Sequence, residues 1–407
     1  MKYSFTFLFL FVCFFSLKAQ NLPSLWLDRN INATFSILAF DPDKEEWGIA
    51  VATNNLYVGN STIYIDPGLG AFSVIAETEP DYAMEGFKQL KAGKTIEEAI
   101  IFTKEKDDDA HYRQVSGIDA QGNTFAFTGE ALPYWKGRSA HYSGKNYVVM
   151  GNQLGDSVLI QMARTFENSR GSLAQRLLES LRAGEESGGQ VNGKQSAALV
   201  VKGTKNQWYN QIDLRVDHSK QPFQDLQRLL NYHYGRIRLN QARYALDNDN
   251  PERAKRLLAQ AREMIQGWYS MYPRLAVIYS RMSQDAEAIK IIQEALRNSP
   301  RWKEYLSAFH YLREHPEMQN LIQPEKFEIK DWQAALQMLL NLKKISEASR
   351  LGQDLVKKYP ESSYLYYLLG KAYADSGEIE KAVEALQKSL ELDANNREAR
   401  VFLNGLK

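Results

Sequence analysis

The chain has 407 residues, more than a single hydrophobic core usually serves, so two or three domains are expected. Its 50 basic and 49 acidic residues nearly cancel, and no basic block stands out, which argues against a nucleic-acid partner. The one cysteine, Cys13, falls in an apolar leader. The rest of the chain therefore has no means of forming disulfides, using thiolate catalysis or binding a metal through cysteine.

Residues 1–20 predict a secretory signal peptide. Lys2 supplies a positive charge, residues 5–17 are mostly apolar, and the small Ala19 follows. An uncleaved membrane anchor is the alternative, but the run is short for a span, and no later stretch is long and apolar enough to be one. We therefore expect an exported protein, periplasmic or extracellular, with no transmembrane segment after signal cleavage. Residues 21–33 are expected to be a linker or propeptide.

From Thr34 onward the pattern alternates between strands and pairs of helices. Predicted strands cover residues 34–40, 48–53, 63–65, 70–76, 113–119, 124–128, 147–150, 196–201 and 208–216. Predicted helices cover residues 81–91, 95–102, 157–166 and 173–181. Thr95 and Glu98 have the spacing of a capping box at the start of the second helix. Strand clusters separated by helix pairs predict two stacked sheets with helices on their outer faces, over residues 34–220.

From about Gln221 the chain is helical, with self-similarity near 34 residues. Corresponding positions one repeat apart are Trp332 and Tyr366, Ala348 and Ala382, and Lys343 and Gly377. This pattern resembles the tetratricopeptide repeat, which implies an all-α solenoid over residues 221–407 and a protein partner. Residues 302–329 break the period. Tyr364 and Tyr367 are candidates for a ligand groove, since they lie off the faces expected to form the core.

A family resemblance covers residues 34 to about 217. Its motifs, in order, are Thr34-Phe-Ser-Ile-Leu-Ala, Asp41-Pro42, Gly48-Ile-Ala-Val-Ala-Thr53, Val58-Gly59, Tyr112-Arg-Gln114, Thr128-Gly129, Gly151-Asn152, Gly188-Gly189, Gly193-Lys-Gln-Ser-Ala-Ala-Leu199 and Leu214-Arg-Val-Asp217. In their order and spacing these motifs resemble domain-of-unknown-function family 1028, which is classed with the N-terminal-nucleophile hydrolases. The resemblance implies an α+β protein whose first domain is a four-layer αββα sandwich. It also places Thr34 at the nucleophile position and Thr53 on the neighbouring strand.

Thr34 is the leading candidate for catalysis. In such hydrolases the hydroxyl attacks an amide and the residue's own free α-amine, which titrates near neutral pH, is the base. Thr34 is internal, so a cut at Ala33–Thr34 is required to free the amine. The alternative is that Thr34 is a β-branched residue that simply begins a strand.

Other polar residues are expected near the same cleft. Ser196 is a further catalytic candidate with Thr34 and Thr53, and the candidates for substrate binding are Glu77, Asn152 and Gln195. Each of these can equally be a strand-end residue bonded to backbone. The six histidines are scattered without metal-ligand spacing, so neither a metal nor another cofactor is predicted.

Three hypotheses of function follow. The first is an amide hydrolase that uses Thr34 on a small-molecule, peptide or cell-wall fragment substrate; some family members are linked to peptidoglycan-binding domains. The second is a non-catalytic sandwich that binds such a ligand while the repeats recruit a protein partner. The third is a structural adaptor.

Overall fold

The computed structural model of the chain describes residues 33–406. The predicted signal peptide and residues 21–32 of the predicted bridge lie outside the described residues. The chain divides into two compact units between Leu230 and Asn231, and each is described by itself. Within residues 33–406, no helix combines the length and apolar character needed to cross a bilayer.

In its described part, residues 33–230, the first unit contains ten strands in two antiparallel sheets. The strands are β1 Thr34–Asp41, β2 Glu46–Thr53, β3 Ile63–Asp66, β4 Gly70–Ala76, β5 Arg113–Asp119, β6 Thr124–Thr128, β7 Arg138–Gly144, β8 Tyr147–Leu154, β9 Ser196–Gly203 and β10 Ile212–Val216. The larger sheet has the order β10-β9-β2-β1-β8-β7, and the smaller has the order β3-β4-β5-β6. The first hairpin, β1–β2, therefore occupies the middle of the larger sheet.

The two sheets stack face to face. Side chains alternate along β1, so Ser36 and Leu38 lie on one face of the larger sheet. That face meets the smaller sheet, because Leu38 packs in one cluster with Ile118 and the Ser73 hydroxyl donates to the Ser36 hydroxyl at 3.1 Å. Thr34 has the same parity as Ser36 and so faces the space between the sheets at the end of β1.

Helices cover both outer faces. They are α1 Asp81–Lys91 and α2 Ile96–Lys104 on the smaller sheet, and α3 Val158–Asn168 and α4 Leu173–Glu186 on the larger. Gly48 shows how closely α4 approaches, since a Cβ there would lie 2.4 Å from Leu177 Cδ1. The Thr95–Glu98 capping box at the start of α2 is present, with both hydrogen bonds made. The predicted αββα sandwich is confirmed.

Two details of the strands differ from expectation. Strand β7 was not predicted, because Arg-Ser-Ala-His-Tyr-Ser-Gly has no β-branched residue and pairs only at the edge of its sheet. The last predicted strand is shorter than residues 208–216, since Trp208–Asn210 forms a 3₁₀ turn and the ladder begins at Ile212. Trp208 is exposed and so contributes nothing to a buried strand face.

The second unit is a succession of antiparallel helix pairs. Its helices are α5 Pro222–Asp247, which begins in the first unit, α6 Pro251–Met264, α7 Tyr272–Arg281, α8 Asp285–Asn298, α9 Pro316–Gln319, α10 Ile329–Asn341, α11 Ile345–Lys358, α12 Ser363–Asp375, α13 Ile379–Leu392 and α14 Arg397–Leu406. The turns between paired helices share one conformation, with φ positive at Asp249, Ser283, Lys343 and Gly377. The predicted equivalence of Lys343 and Gly377 is thus confirmed by the backbone.

Between α8 and α10 the period is broken, as expected. Residues Pro300–Leu312 form 3₁₀ turns rather than a regular helix. Within this segment the rings of Trp302 and Phe309 stack on each other in the core. Tyr367, proposed for a groove, is instead 9% exposed and packs against Phe402 in the core of the last repeats. The α-helical periodicity placed it on a partly buried face, but the terminal helix α14 covers that face.

Candidate functional site

Four polar side chains form one row across the end of the larger sheet. The register pairs Asn152 of β8 with Thr34, Thr34 with Thr53 of β2, and Thr53 with Ser196 of β9. Directly paired residues of antiparallel strands lie on the same face, so all four point between the sheets. All four are at most 5% exposed. The fold therefore brings together four of the residues that the sequence marked for the site.

Thr53 connects the hydroxyl of Thr34 to the peptide bond before it. The Thr53 hydroxyl donates to the carbonyl oxygen of Ala33 at 2.8 Å, and its Oγ1 lies 2.9 Å from Thr34 Oγ1. A hydroxyl has one proton. Because that of Thr53 points to Ala33, the proton in the second hydrogen bond comes from Thr34. The backbone N–H of Asn54 also donates to the Ala33 oxygen, at 3.3 Å.

A buried amide pair holds the nitrogen of Thr34. The Thr34 N–H donates to Asn152 Oδ1 at 3.2 Å, and Asn152 Nδ2 donates to Gln114 Oε1 at 3.2 Å. Gln114 is fully buried, and its Nε2 lies within 3.0 Å of Thr128 Oγ1 and of the carbonyl oxygens of Ala140 and Gly151. These acceptors fix which end of Gln114 faces Asn152, and this in turn directs the Asn152 oxygen toward Thr34.

His141 ends this hydrogen-bonded chain. Its Nδ1 lies 2.9 Å from Thr128 Oγ1, the hydroxyl that also accepts from Gln114. Burial lowers the pKa of His141, so its ring is neutral at neutral pH. From Thr34 to His141, every link in the network joins neutral groups.

A cavity of about 480 Å³ opens beside the row. Thr34 and Thr53 form its floor, and its other walls come from residues 55–58, Ser61, Thr62 and residues 75–78. Hydroxyl and amide groups dominate this wall, while Leu56 and Tyr57 stand more than half exposed at its rim. Its volume lies within the range of small-molecule sites.

Glu77 lies on the cavity wall and is tied to a buried ion pair. The Arg113 guanidinium donates to Asp107 through Nε and Nη2, and its Nη1 donates to the Glu77 carbonyl at 3.2 Å. The Glu77 carboxylate lies 3.9 Å from the same Nη1. Burial works to raise the pKa of Asp107, but hydrogen bonds from Arg113 and the Asp109 amide lower it overall. Glu77 therefore lines the cavity, whereas Asn152 does not line it and contacts Thr34 and Gln114 instead.

The backbone at the end of β4 lines the cavity at Ile75, Ala76 and Glu77. The N–H of Val74 donates to Thr62 on the β3 side, and that of Glu77 donates to Tyr112 on the β5 side. In a strand, the N–H groups of alternate residues point to the same side, so the Ala76 N–H is expected on the same side as that of Val74. This is the side of β3, at a level past its first residue, Ile63. Ala76 also has φ of 68°, a left-handed conformation uncommon for residues with a Cβ.

The remaining sequence candidates lie at the margin. The Gln195 side chain bonds His218 Nδ1 at 2.6 Å, away from the row, while its backbone N–H donates to the Thr53 carbonyl. Ser196 is in the row, and its buried hydroxyl has no hydrogen-bond partner among the described residues. Gln114 was not predicted as a site residue. Its sequence position could have indicated one, because a glutamine in a strand of otherwise buried residues needs hydrogen-bond partners in the core. In residues 33–406, no grouping of three or more His, Cys, Asp or Glu side chains is suited to a metal ion.

Comparisons with known proteins give two matches to family models. A model described as a family of unknown function (DUF1028) matches residues 34–226, and a tetratricopeptide repeat model matches residues 363–396. A comparison with curated proteins gave no match.

Solved structures resemble one unit or the other. Protein SPO2555 from Silicibacter pomeroyi is 31% identical, with 49% of this chain and 84% of that protein covered and a TM-score of 0.45. MamA from Desulfovibrio magneticus RS-1 is 19% identical, with 42% of this chain and 83% of MamA covered and a TM-score of 0.20. YrrB, described as a tetratricopeptide repeat protein with an unusual peptide-binding site, is 19% identical, with 41% and 90% covered and a TM-score of 0.23.

Proposed function

Through residues 34–226 this chain belongs to the DUF1028 family of unknown function, and from that premise we propose that its first unit is an amide hydrolase with Thr34 as nucleophile. The first substrate is the chain's own Ala33–Thr34 bond. The observation that carries the proposal is the hydrogen-bonded sequence from the Thr34 hydroxyl through Thr53 to the Ala33 carbonyl.

The self-cleavage begins with attack of Thr34 Oγ1 on the Ala33 carbonyl carbon. As the C–O bond forms, the Thr34 proton passes to Thr53 Oγ1 and the Thr53 proton passes to the Ala33 oxygen. The N–H of Asn54 also donates to that oxygen, so the developing charge is met by two donors. Thr53 is therefore both the proton acceptor and a donor to the oxyanion.

The intermediate then collapses toward an ester. The C–N bond breaks, the proton returns from the carbonyl oxygen to the Thr34 nitrogen, and the Ala33 carbonyl is left esterified to Thr34 Oγ1. Water hydrolyses this ester to give a carboxylate at Ala33 and a free α-amine at Thr34. Overall one amide and one water become one acid and one amine.

The freed amine completes the site for an external amide. Asn152 Oδ1, which accepts the Thr34 N–H in the intact chain, remains an acceptor for the amine. The amine is a base near neutral pH. Thr34 lines the cavity, so a substrate held there lies next to this residue. Ala76 lines that cavity. We propose that its N–H donates to an external oxyanion and that the substrate class is a peptide or cell-wall fragment.

Two further parts of the proposal concern export and the repeats. We propose that residues 1–20 direct export to the periplasm or the extracellular space, on the strength of their charged start, apolar run and small residue. The tetratricopeptide repeats indicate a role in protein interaction.

Intact mass and N-terminal sequencing of protein exported by a bacterial host test the proposal. We expect a chain that begins at Thr34, with Thr34→Ser also cleaved and Thr34→Ala left uncleaved. A wild-type chain that retains residues before Thr34 would overturn it, since the amine would stay in a peptide bond.

The alternative is a sandwich that binds a ligand without catalysis. It is favoured by one observation: Thr34 is 5% exposed in the intact chain, whereas the cavity beside it is already open. Under this alternative, Thr34→Ala retains ligand binding and the chain is never cut. Cleavage of the wild type but not of Thr34→Ala decides between the two.

A further inference from the structure

The wall of the Thr34 cavity carries one carboxylate and no cationic side chain. Among its lining residues, which all lie in the described part of the chain, Glu77 is the one acidic residue and none is a lysine, an arginine or a histidine. The Glu77 side chain is 30% exposed, so its carboxylate is partly withdrawn from water. A charge on a concave, partly dry wall acts on a ligand more strongly than a charge on an open surface.

Arg113 contacts Glu77 without belonging to the lining of the cavity. Its guanidinium donates to Asp107 through Nε at 2.9 Å and through Nη2 at 3.3 Å, whereas its Nη1 lies 3.9 Å from the Glu77 carboxylate. The pair with Asp107 therefore already uses the charge of Arg113, and two carboxylates share one guanidinium. The cavity wall at Glu77 keeps a net negative charge, which favours a cationic group on a ligand.

The other polar groups on the wall suit an ammonium group. An ammonium has three N–H donors and no acceptor, so it needs oxygen atoms around it. Ser61, Thr62 and Thr78, which each have a hydroxyl oxygen, line the cavity together with Glu77. The Thr62 hydroxyl donates its proton to the Val58 carbonyl, so its oxygen is left to act as an acceptor. A carboxylate on a ligand would find no cationic partner among the described lining residues.

We propose that Glu77 determines which substrates this cavity takes, by binding a primary ammonium group. The substrate is then a peptide or cell-wall fragment with a free amine close to the amide that Thr34 attacks. A sphere of 480 Å³ is about 10 Å across, and a lysine side chain fits within that distance. This role of Glu77 rests on the proposed function, since it takes Thr34 as the nucleophile of the same cavity. An analogue without the amine would remove water from the carboxylate and give no charge in return, so it is bound poorly.

Isothermal titration calorimetry on the full-length protein tests the role of Glu77. The parent protein is Thr34→Ala, so that the probes are not consumed by the proposed nucleophile. The probes are a tripeptide of alanine, lysine and alanine with both ends blocked, and the same tripeptide with norleucine in place of lysine. We expect the parent to bind the lysine peptide at least about tenfold more tightly at 50 mM salt, since one charge-assisted contact distinguishes the two peptides. With Glu77→Gln added, this preference should fall below about twofold, and the affinity for the norleucine peptide should stay unchanged.

Glu79→Gln is the matched control for the loss of one negative charge. Glu79 lies two residues beyond Glu77 and its charge also acts on Arg113, but it does not line the cavity. We expect Glu79→Gln to keep the preference of the parent for the lysine peptide. Glu77→Asp keeps the charge and should retain a preference for that peptide. Thermal melts establish that the variants are folded, which is expected because Arg113 also donates to the backbone carbonyl of residue 77.

Several results would overturn the ammonium site. They are equal affinity of the parent for the two peptides, equal losses of both peptides in Glu77→Gln, an equal loss in Glu79→Gln, and no binding of the lysine peptide at 10 mM. Tighter binding of a tripeptide with glutamate in the central position would also refute it.

The Thr34→Ala parent separates a failure of this site from a failure of the hydrolase. A preference for lysine that depends on Glu77 supports the ammonium site even if the wild-type chain is never cut. Cleavage of the wild type at Thr34 without that preference in the parent supports the hydrolase and refutes the ammonium site.

Discussion

Thr53→Val is the sharpest test of the proposed self-cleavage, because it removes one hydroxyl and keeps the shape of the side chain. The hydroxyl makes the shorter of two hydrogen bonds to the Ala33 oxygen, 2.8 Å against 3.3 Å for the Asn54 N–H. Loss of one oxyanion donor typically slows a reaction by about 10²–10³-fold. Thr53 also accepts the Thr34 proton, so we expect cleavage of Thr53→Val to be slower by at least about 10³-fold.

The same substitution has a limited cost in stability. Thr53 Oγ1 has two strong hydrogen bonds, to Ala33 and Thr34, and each contributes about 1 kcal/mol net to folding. We expect the free energy of unfolding to fall by about 2–3 kcal/mol, which a domain of ordinary stability tolerates. Loss of cleavage is then not a result of unfolding.

The assay follows intact mass over time after refolding of the full-length precursor. Thr103→Val is the matched control, since Thr103 is a buried threonine on α2 outside the row and the cavity. We expect Thr103→Val to be cleaved at the wild-type rate. Cleavage of Thr53→Val within threefold of the wild-type rate would refute the relay through Thr53, even if Thr34 were confirmed as nucleophile.

Three other predictions concern stability. Gln114→Met removes the hydrogen bonds of a fully buried amide, and we expect urea denaturation to show a loss of about 3–4 kcal/mol with an unchanged slope; a loss below 1 kcal/mol would contradict the network. Burial is the main cause, and the charge of Arg313 the second, of a pKa of His310 lowered from 6.5 to about 4. The folded state therefore favours the neutral ring, and the contribution of His310 to the free energy of unfolding is full above pH 6.5 and is lost as pH falls toward 4. Between pH 6.5 and pH 4 the free energy of unfolding of the wild type should fall by up to about 3 kcal/mol more than that of His310→Phe. If the unfolding free energies of the two proteins change with pH in parallel, this prediction is wrong. Lys343→Gly relieves a φ of 60° and should raise the free energy of unfolding by about 1 kcal/mol; a lower melting temperature would contradict this.

The sequence predicts much of the sandwich and its polar row for a simple reason. Thr34 and Thr53 each terminate a strand of one hairpin, and a period of two places residues at matching ends on the same face. The motif order then adds Asn152 and Ser196 from two more strands. Register in a buried antiparallel sheet is strongly constrained, so four residues far apart in sequence meet with little freedom.

The role of Gln114 and the existence of strand β7 could not be predicted from the sequence. The role of Gln114 depends on acceptors from Thr128, Ala140 and Gly151, and two of these are backbone carbonyls that carry no residue signature. The Ala140 carbonyl belongs to β7, an edge strand without β-branched residues. Missing that strand therefore also concealed the network that orients Asn152.

The arrangement explains why one set of residues can serve both before and after cleavage. In the intact chain, Asn152 accepts from the Thr34 amide and Thr53 bonds the carbonyl that is to be cut. After cleavage the amide nitrogen becomes an amine at the same Asn152 oxygen, and the Thr34 hydroxyl keeps Thr53 as its neighbour. Only the group at the carbonyl position changes, from Ala33 to an external amide. Because Gln114 is fixed by three acceptors, the orientation of Asn152 does not depend on whether the bond is intact, so the site needs no rearrangement to pass from its own peptide bond to a substrate.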